Sequence, residues 1–287
     1  MKNIVIDMIS QLKIFLDTQD LTNPLPLQYI KGSIEEKSRM LLNDPHYFFI
    51  FMLSTIFGVL IYYRATVNEN MPTIVLSLLW MLFWKNTDQK GRIFLIIASL
   101  FGYVHELLGV RYGYFTYLGG AIGGSPIWLI PGYGTIFWSS YNLWEIFEKT
   151  YSEKKWFRST NIFIPVSLAV LITVDHMVFD LALKPVSILA KFTLAFMLFR
   201  NFQEIRLAYF VAFFTVLTEL TGEIIGTWSH PEFSLISLMA GYVFLLWVCL
   251  TINDLSNGRI SRSRKEVLAG SVLTTFYIFL LLGFISV

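Results

Sequence analysis

The sequence predicts an all-α fold: a polytopic transmembrane helical bundle of about nine spans, with eight as the alternative, preceded by an N-terminal interfacial amphipathic helix. Three observations predict it. Of 287 residues, 55% are hydrophobic and only 15% charged, whereas soluble domains carry about 25% charged residues. The mean hydropathy is +0.60. Apolar runs long enough to cross a bilayer recur along the chain, and lysine and arginine gather in alternate loops between them.

Residues 1–45 form a first segment and 46–287 the membrane domain. In the first, Ile4, Val5, Met8, Ile9, Leu12 and Phe15 recur at spacings of one, three and four. Lys2, Asp7, Lys13 and Asp17 fall off that face, as in a helix lying in the membrane interface. Asn23-Pro24-Leu25-Pro26 ends it. Acids stand where the apolar core of a signal peptide would be. Nine candidate spans follow: 47–63, 69–86, 91–109, 126–146, 161–183, 185–200, 206–225, 234–253 and 267–286. The sixth contains Lys191 and follows the fifth almost without a loop, so a re-entrant half-helix is the alternative there. Basic residues collect in Lys85–Arg92, Lys149–Arg158, Arg200–Arg206 and Arg259–Lys265. These loops are expected in the cytoplasm with the N-terminus, and the C-terminus outside.

Composition also excludes classes. The net charge of +2 implies no nucleic-acid partner, and one cysteine, Cys249, permits no disulfide framework. Aromatics make up 17% of the chain, the rings that favour membrane interfaces. Membrane lipids are the expected surroundings.

Ionisable residues inside spans cost a few kcal/mol on insertion scales and so mark function. Here they cluster. His105 and Glu106 end the third span, Asp175, His176 and Asp180 the fifth, and Glu219 and Glu223 the seventh, with His230 just beyond. His176 and Asp180 share a helix face, as do Glu219 and Glu223. Acids at one level on three helices predict one shared polar pocket. Glu145 and Glu148, beside Lys149, read as a solvated helix end.

A short internal repeat adds to this. His105-Glu106-Leu-Leu-Gly109 and Gly222-Glu223-Ile-Ile-Gly226 each run acid, two aliphatics, glycine, then an aromatic turn. Each precedes a proline (Pro126, Pro231) and another span. The offset is 117 residues and four spans, which predicts parallel repeats, with Gly109 and Gly226 ending helices or admitting close backbone approach. Loop 111–125, with five glycines and four aromatics, is expected to fold back over the acids.

The string HELLGVRYGYFTY resembles the signature of membrane carotenoid-biosynthesis proteins that include the bacterioruberin-type carotenoid 1,2-hydratases. Glu106, Gly109, Val110, Gly113 and Tyr117 match, and Asp175 and Asp180 match that family's spaced aspartate pair. The family's Pro-Phe-Gly before the tyrosines is absent, and the proline after the second aspartate comes only at Pro185. The resemblance spans roughly residues 90–250 and implies a lipidic polyprenyl or carotenoid substrate and hydration of a terminal double bond.

That chemistry begins by protonating an alkene, which needs a carboxylic acid kept neutral in an apolar site and a second group to hold or accept a proton. The expected acid–base residues are Asp180 first, with Glu106 and Glu223, and Glu219 and Asp175 beside them; His176 or His105 would relay protons. Tyr112, Tyr114, Phe115, Tyr117, Trp128 and Trp228 are the candidate substrate-binding rings, whose faces stabilise cations. No cofactor is implied. The same carboxylates would serve a terpene cyclase. A metal enzyme using His105, His176, His230, Asp180, Glu219 and Glu223 is another reading, although neither H-E-x-x-H nor a paired Glu-x-x-His occurs. A proton- or cation-coupled transporter is the non-enzyme alternative.

Overall fold

Long apolar runs without a helix-breaking interior proline, bounded by polar turns, fold here as helices. The computed structural model describes residues 44–154, 163–178, 199, 202–231 and 233–256, except the side chains of 163–165, 168, 172, 176, 178, 202 and 255. The helices are α1 (Pro45–Thr66), α2 (Asn70–Asn86), α3 (Gln89–Arg111), α4 (Leu129–Tyr151), α5 (Phe163–Val178), α6 (Phe202–Ile225) and α7 (Leu235–Ser256). The two-residue strands β1 (Thr116–Tyr117) and β2 (Trp228–Ser229) follow α3 and α6. Each of the seven helices overlies one of the segments marked by hydropathy. The N-terminal interfacial helix, the sixth segment at 185–200 apart from Phe199, and the ninth at 267–286 lie outside the described residues. Four helices are long and apolar enough to cross a membrane: Pro45–Thr66, Gln89–Arg111, Gln203–Ile225 and Leu235–Asp254.

The chain divides into two compact units, Met1–Leu53 and Ser54–Val287. Within the first, Asp44 Oδ1 accepts from the backbone N–H groups of His46 and Tyr47 at 2.9 and 3.1 Å. That caps α1, whose first residue is Pro45. In the second unit, Met71, Ile74, Leu78 and Met81 on α2, and Ile96, Leu100 and Val104 on α3, are exposed at helical spacing. Polar Ser99, Glu106, Thr135, Ser139 and Glu219 lie inside. Apolar stripes on the outer faces, over a mainly apolar core that holds these few polar groups, fit a helix bundle that meets lipid.

Helices α3, α4, α6 and α7 surround the centre. α3 packs on α4 and α6 on α7, while α7 also meets α3 and α6 meets α4. This exchange has a pseudo-two-fold pattern, and the sequence carries it at an offset of 113 residues. Glu106, Gly109, Gly113, Phe115 and Thr116 correspond to Glu219, Gly222, Gly226, Trp228 and Ser229. The structure agrees at each position. Gly113 and Gly226 adopt positive φ, 72° and 77°, and turn the chain out of its helix. A Cβ on Gly109 would collide with the Phe115 ring, and one on Gly222 with the Trp228 ring. β1 and β2 pair antiparallel with Thr116 opposite Ser229, the two equivalent residues meeting on the axis.

The expectation of parallel repeats therefore needs a different register. Glu106 corresponds to Glu219, and Glu223 falls opposite Val110. Gly109 does not end a helix; it lies inside α3 and admits Phe115, and the turn residue is Gly113. We expect Gly222→Ala to lower stability by about 1–3 kcal/mol through this overlap with Trp228. Thermal unfolding of the detergent-solubilised protein measures it.

Candidate functional site

The centre of the unit holds two carboxyl groups joined by phenols. Glu106 lies one and a half turns before the end of α3, and Glu219 in the matching place on α6; both are buried, 3% and 8% exposed. Each receives a tyrosine from the helix that follows in sequence. Tyr133 of α4 hydrogen-bonds Glu106 Oε1. Tyr242 of α7 donates to Glu219 Oε1 at 2.6 Å. The two hydroxyls meet each other at 3.2 Å. Gly102, one turn before Glu106, leaves the room that Tyr133 fills, since a Cβ there would strike its ring. The result is a continuous chain, Glu106–Tyr133–Tyr242–Glu219, crossing the pseudo-two-fold axis.

Counting protons in this chain fixes its chemistry. Three contacts link the four groups, and each needs one hydrogen. The two phenols supply two, because a hydroxyl has one O–H. The third must come from a carboxyl group. With both phenols donating to carboxylates, the hydroxyl–hydroxyl contact has no hydrogen of its own; when one carboxyl group is protonated it donates to its tyrosine instead, and the chain then holds one carboxylic acid and one carboxylate. A shift of three protons exchanges their roles.

The two ends are not equal. Tyr117, reaching over from β1, also hydrogen-bonds Glu106 through Oε2. Burial, followed by the charge of Glu106, pushes the Tyr117 phenol well above its ordinary range, so it remains a donor. Glu219 accepts only from Tyr242 at its carboxyl group; among the described residues its Oε2 has no hydrogen-bond partner. Glu106 is thus the better-supported anion, and the shared proton rests toward Glu219. The position equivalent to Tyr117 is His230, which turns to Glu223 instead. His230 Nδ1 lies 2.8 Å from Glu223 Oε2, and its backbone N–H points at both oxygens of that carboxylate at 3.3 and 3.2 Å. The rings keep the symmetry that the polar groups break. Tyr117 packs edge-on to Trp228 at 5.6 Å, and Phe115 lies 5.1 Å from His230.

Among the described residues, acids from two of the three expected helices come together. Glu106 and Glu219 converge, with Glu223 one turn from Glu219. Asp175, on the fifth predicted span, is used elsewhere. It accepts from the backbone N–H of Leu235 at 2.6 Å and of Ile236 at 3.0 Å, and from Ser234 Oγ at 3.1 Å, which makes it the cap of α7. Glu69 does comparable work before α4, accepting from Ile127 N–H at 2.7 Å. His105 is half-buried on α3. Asp180 and the side chain of His176 lie outside the described residues.

Of the predicted substrate-binding rings, Tyr117 and Trp228 stand at the site, and Trp228 Nε1 donates to the Glu219 carbonyl at 3.2 Å. Phe115 is buried between Gly109 and His230. Trp128 is buried edge-on against Tyr63 at 5.4 Å, and Tyr112 and Tyr114 are exposed. Tyr133 and Tyr242 were not among the candidates. Their signal in the sequence is positional: each is a tyrosine within the first eight residues of the helix after an acid-bearing helix. Among the described residues, no three His, Cys, Asp or Glu side chains come together as a metal site requires.

The arrangement can give a proton at one carboxyl group while keeping a base at the other, beside the packed rings of Tyr117 and Trp228. No protein-family model, curated protein or solved structure matches the chain, so the function is read from this geometry and from the sequence.

Proposed function

We propose that the protein is an integral membrane enzyme that protonates a carbon–carbon double bond of a lipidic isoprenoid of the carotenoid kind, completing the reaction by hydration. The observation that carries this reading is the Glu106–Tyr133–Tyr242–Glu219 chain, whose three contacts can all be hydrogen bonds at once when one carboxyl group holds a proton. Glu219 gives that proton to the alkene carbon. The electron pair of the double bond forms the new C–H bond and leaves a carbocation. Tyr117 and Trp228 present π faces to it, the Glu106 carboxylate stabilises it, and a water adds to it and passes its surplus proton to a second water. The resemblance of the segment around Glu106 and Tyr117 to carotenoid hydratases supports the substrate class.

The membrane setting completes the proposal. On nine spans with the N-terminus in the cytoplasm, the acid-bearing helix ends approach the outer face, and substrate enters sideways from lipid. A site near one face serves an enzyme better than a carrier, whose site usually lies near the midplane. A second reading, cyclisation, is favoured by the pairing of an acid with a base: Glu106 would remove a proton from the cation, with no water added.

The test is incubation, in heavy water, of membranes from an expressing host with an acyclic polyene made in light water. The expected result is a new lipid product, heavier than the substrate by one water and carrying deuterium on carbon. A product isomeric with the substrate would select cyclisation. Lipid extracts identical with and without the protein would overturn the proposal.

A further inference from the structure

The acid–base chain leaves one pair of titratable groups unused. Glu223 lies four residues after Glu219, on the same face of α6 and one turn nearer its C-terminal end. His230 lies beyond that end, after β2. The two are in direct contact, Nδ1 to Oε2 at 2.8 Å, with side chains 8% exposed for His230 and 17% for Glu223. Phe115 and Phe233 pack against the imidazole, each at 5.1 Å. Arg64 stands at this end, where its Nε donates to the Ile225 carbonyl at 3.2 Å.

Two further observations point from this pair to Glu219. Glu219 is buried and its Oε2 has no hydrogen-bond partner among the described residues, so one oxygen is open to a proton. The pseudo-two-fold pattern would put His230 where Tyr117 stands, on the site's own carboxylate; it is displaced by one helical turn to a carboxylate that occurs on this half alone.

We infer that the His230–Glu223 pair is the proton entry to Glu219, passing protons from the aqueous phase beyond the end of α6 into the buried chain. Resting on the reading of Glu219 as the acid, it deepens that reading by saying how the acid is recharged. The count balances. A proton binds imidazole Nε2, the Nδ1 proton passes to Glu223 Oε2, and Glu223 turns to give it to Glu219 Oε2. Glu223 is again a carboxylate, and the ring, left as the Nε2–H tautomer, resets when water takes the Nε2 proton and returns one to Nδ1. Burial pushes the His230 pKa down, while the Glu223 carboxylate pushes it up and leaves it below its ordinary value. A ring that releases its proton readily suits a relay. His230 and Glu223 are positioning and relay residues here, with no contact to substrate required.

The experiment needs no substrate, so its failure is distinct from failure of the proposed reaction. Purified protein in detergent is transferred from light to heavy water. The infrared carbonyl band of the protonated carboxyl group is followed as it shifts on deuteration, and Glu219→Gln identifies the band. In Glu223→Gln and His230→Ala, exchange of this band is expected to slow by about tenfold or more. Added imidazole is expected to restore it in His230→Ala, a rescue that a merely structural role would not give. Wild-type exchange in the well-folded Glu223→Gln protein would overturn the inference, as would the absence of any band lost on Glu219→Gln.

Discussion

Glu219→Gln is expected to lower turnover by about 10²–10⁴-fold, the range for removing a positioned general acid, while the protein still folds. Glutamine keeps the shape of the side chain, and its amide oxygen still accepts from Tyr242, so the packing of α6 on α7 survives. It has no proton to give to carbon. Tyr242→Phe removes the link while leaving both carboxyl groups, and the expected loss is smaller, about tenfold. Glu106→Gln removes the anion that balances the carbocation and is expected to fall nearer the first variant than the second. The measurement is product formed per mole of purified protein, with the carbonyl band as an independent report of the carboxyl proton. Full turnover in Glu219→Gln would move the role of acid to another carboxyl group, with Asp180 the first to test.

The parts of this site legible in the sequence are those that lipid makes conspicuous. An acid among Leu, Ile and Phe stands out because burying it is costly, so Glu106 and Glu219 were visible from their surroundings. Tyr133 and Tyr242 were not, because a tyrosine in an apolar helix reads equally as an interfacial ring; only the hydroxyl's partner gives it a role. The helices were legible for the same reason as the acids, since an apolar run of span length has few other uses. The repeat was half legible. Matching Glu106 to Glu223 follows the nearest glycine, at Gly109 and Gly226. The structural register matches Glu106 to Glu219 because Phe115 and Trp228 each need a glycine beneath the ring, a requirement that appears only when the loops fold back. Asp175 was conspicuous as a membrane acid, yet its partners lie 59 to 61 residues away in sequence, and no local spacing encodes that reach. An acid inside a span therefore identifies a group that must be satisfied, and the satisfying partners decide between chemistry and capping.

Asp175→Ala tests that distinction from the structural side. The first N–H groups of a helix have no partner within it, and at α7 the two that lead, Leu235 and Ile236, are supplied by the Asp175 carboxylate in a buried setting. Alanine leaves both without a partner, along with the Ser234 hydroxyl. A capping residue is worth up to about 2 kcal/mol, and each buried donor left unpaired costs about 1–3 kcal/mol. A loss of about 3–5 kcal/mol is therefore expected, which for a domain of this size corresponds to a fall of about 6–20 °C in Tm. Asp175→Asn keeps one accepting oxygen and is expected to fall between the two. α7 also carries Tyr242 two turns from the cap, so a frayed start loosens the phenol that meets Glu219. Activity should then fall in step with stability across the alanine and asparagine variants and recover on cooling. If Asp175 were instead an acid in the reaction, the asparagine variant would be inactive at any temperature while melting almost as the wild type does.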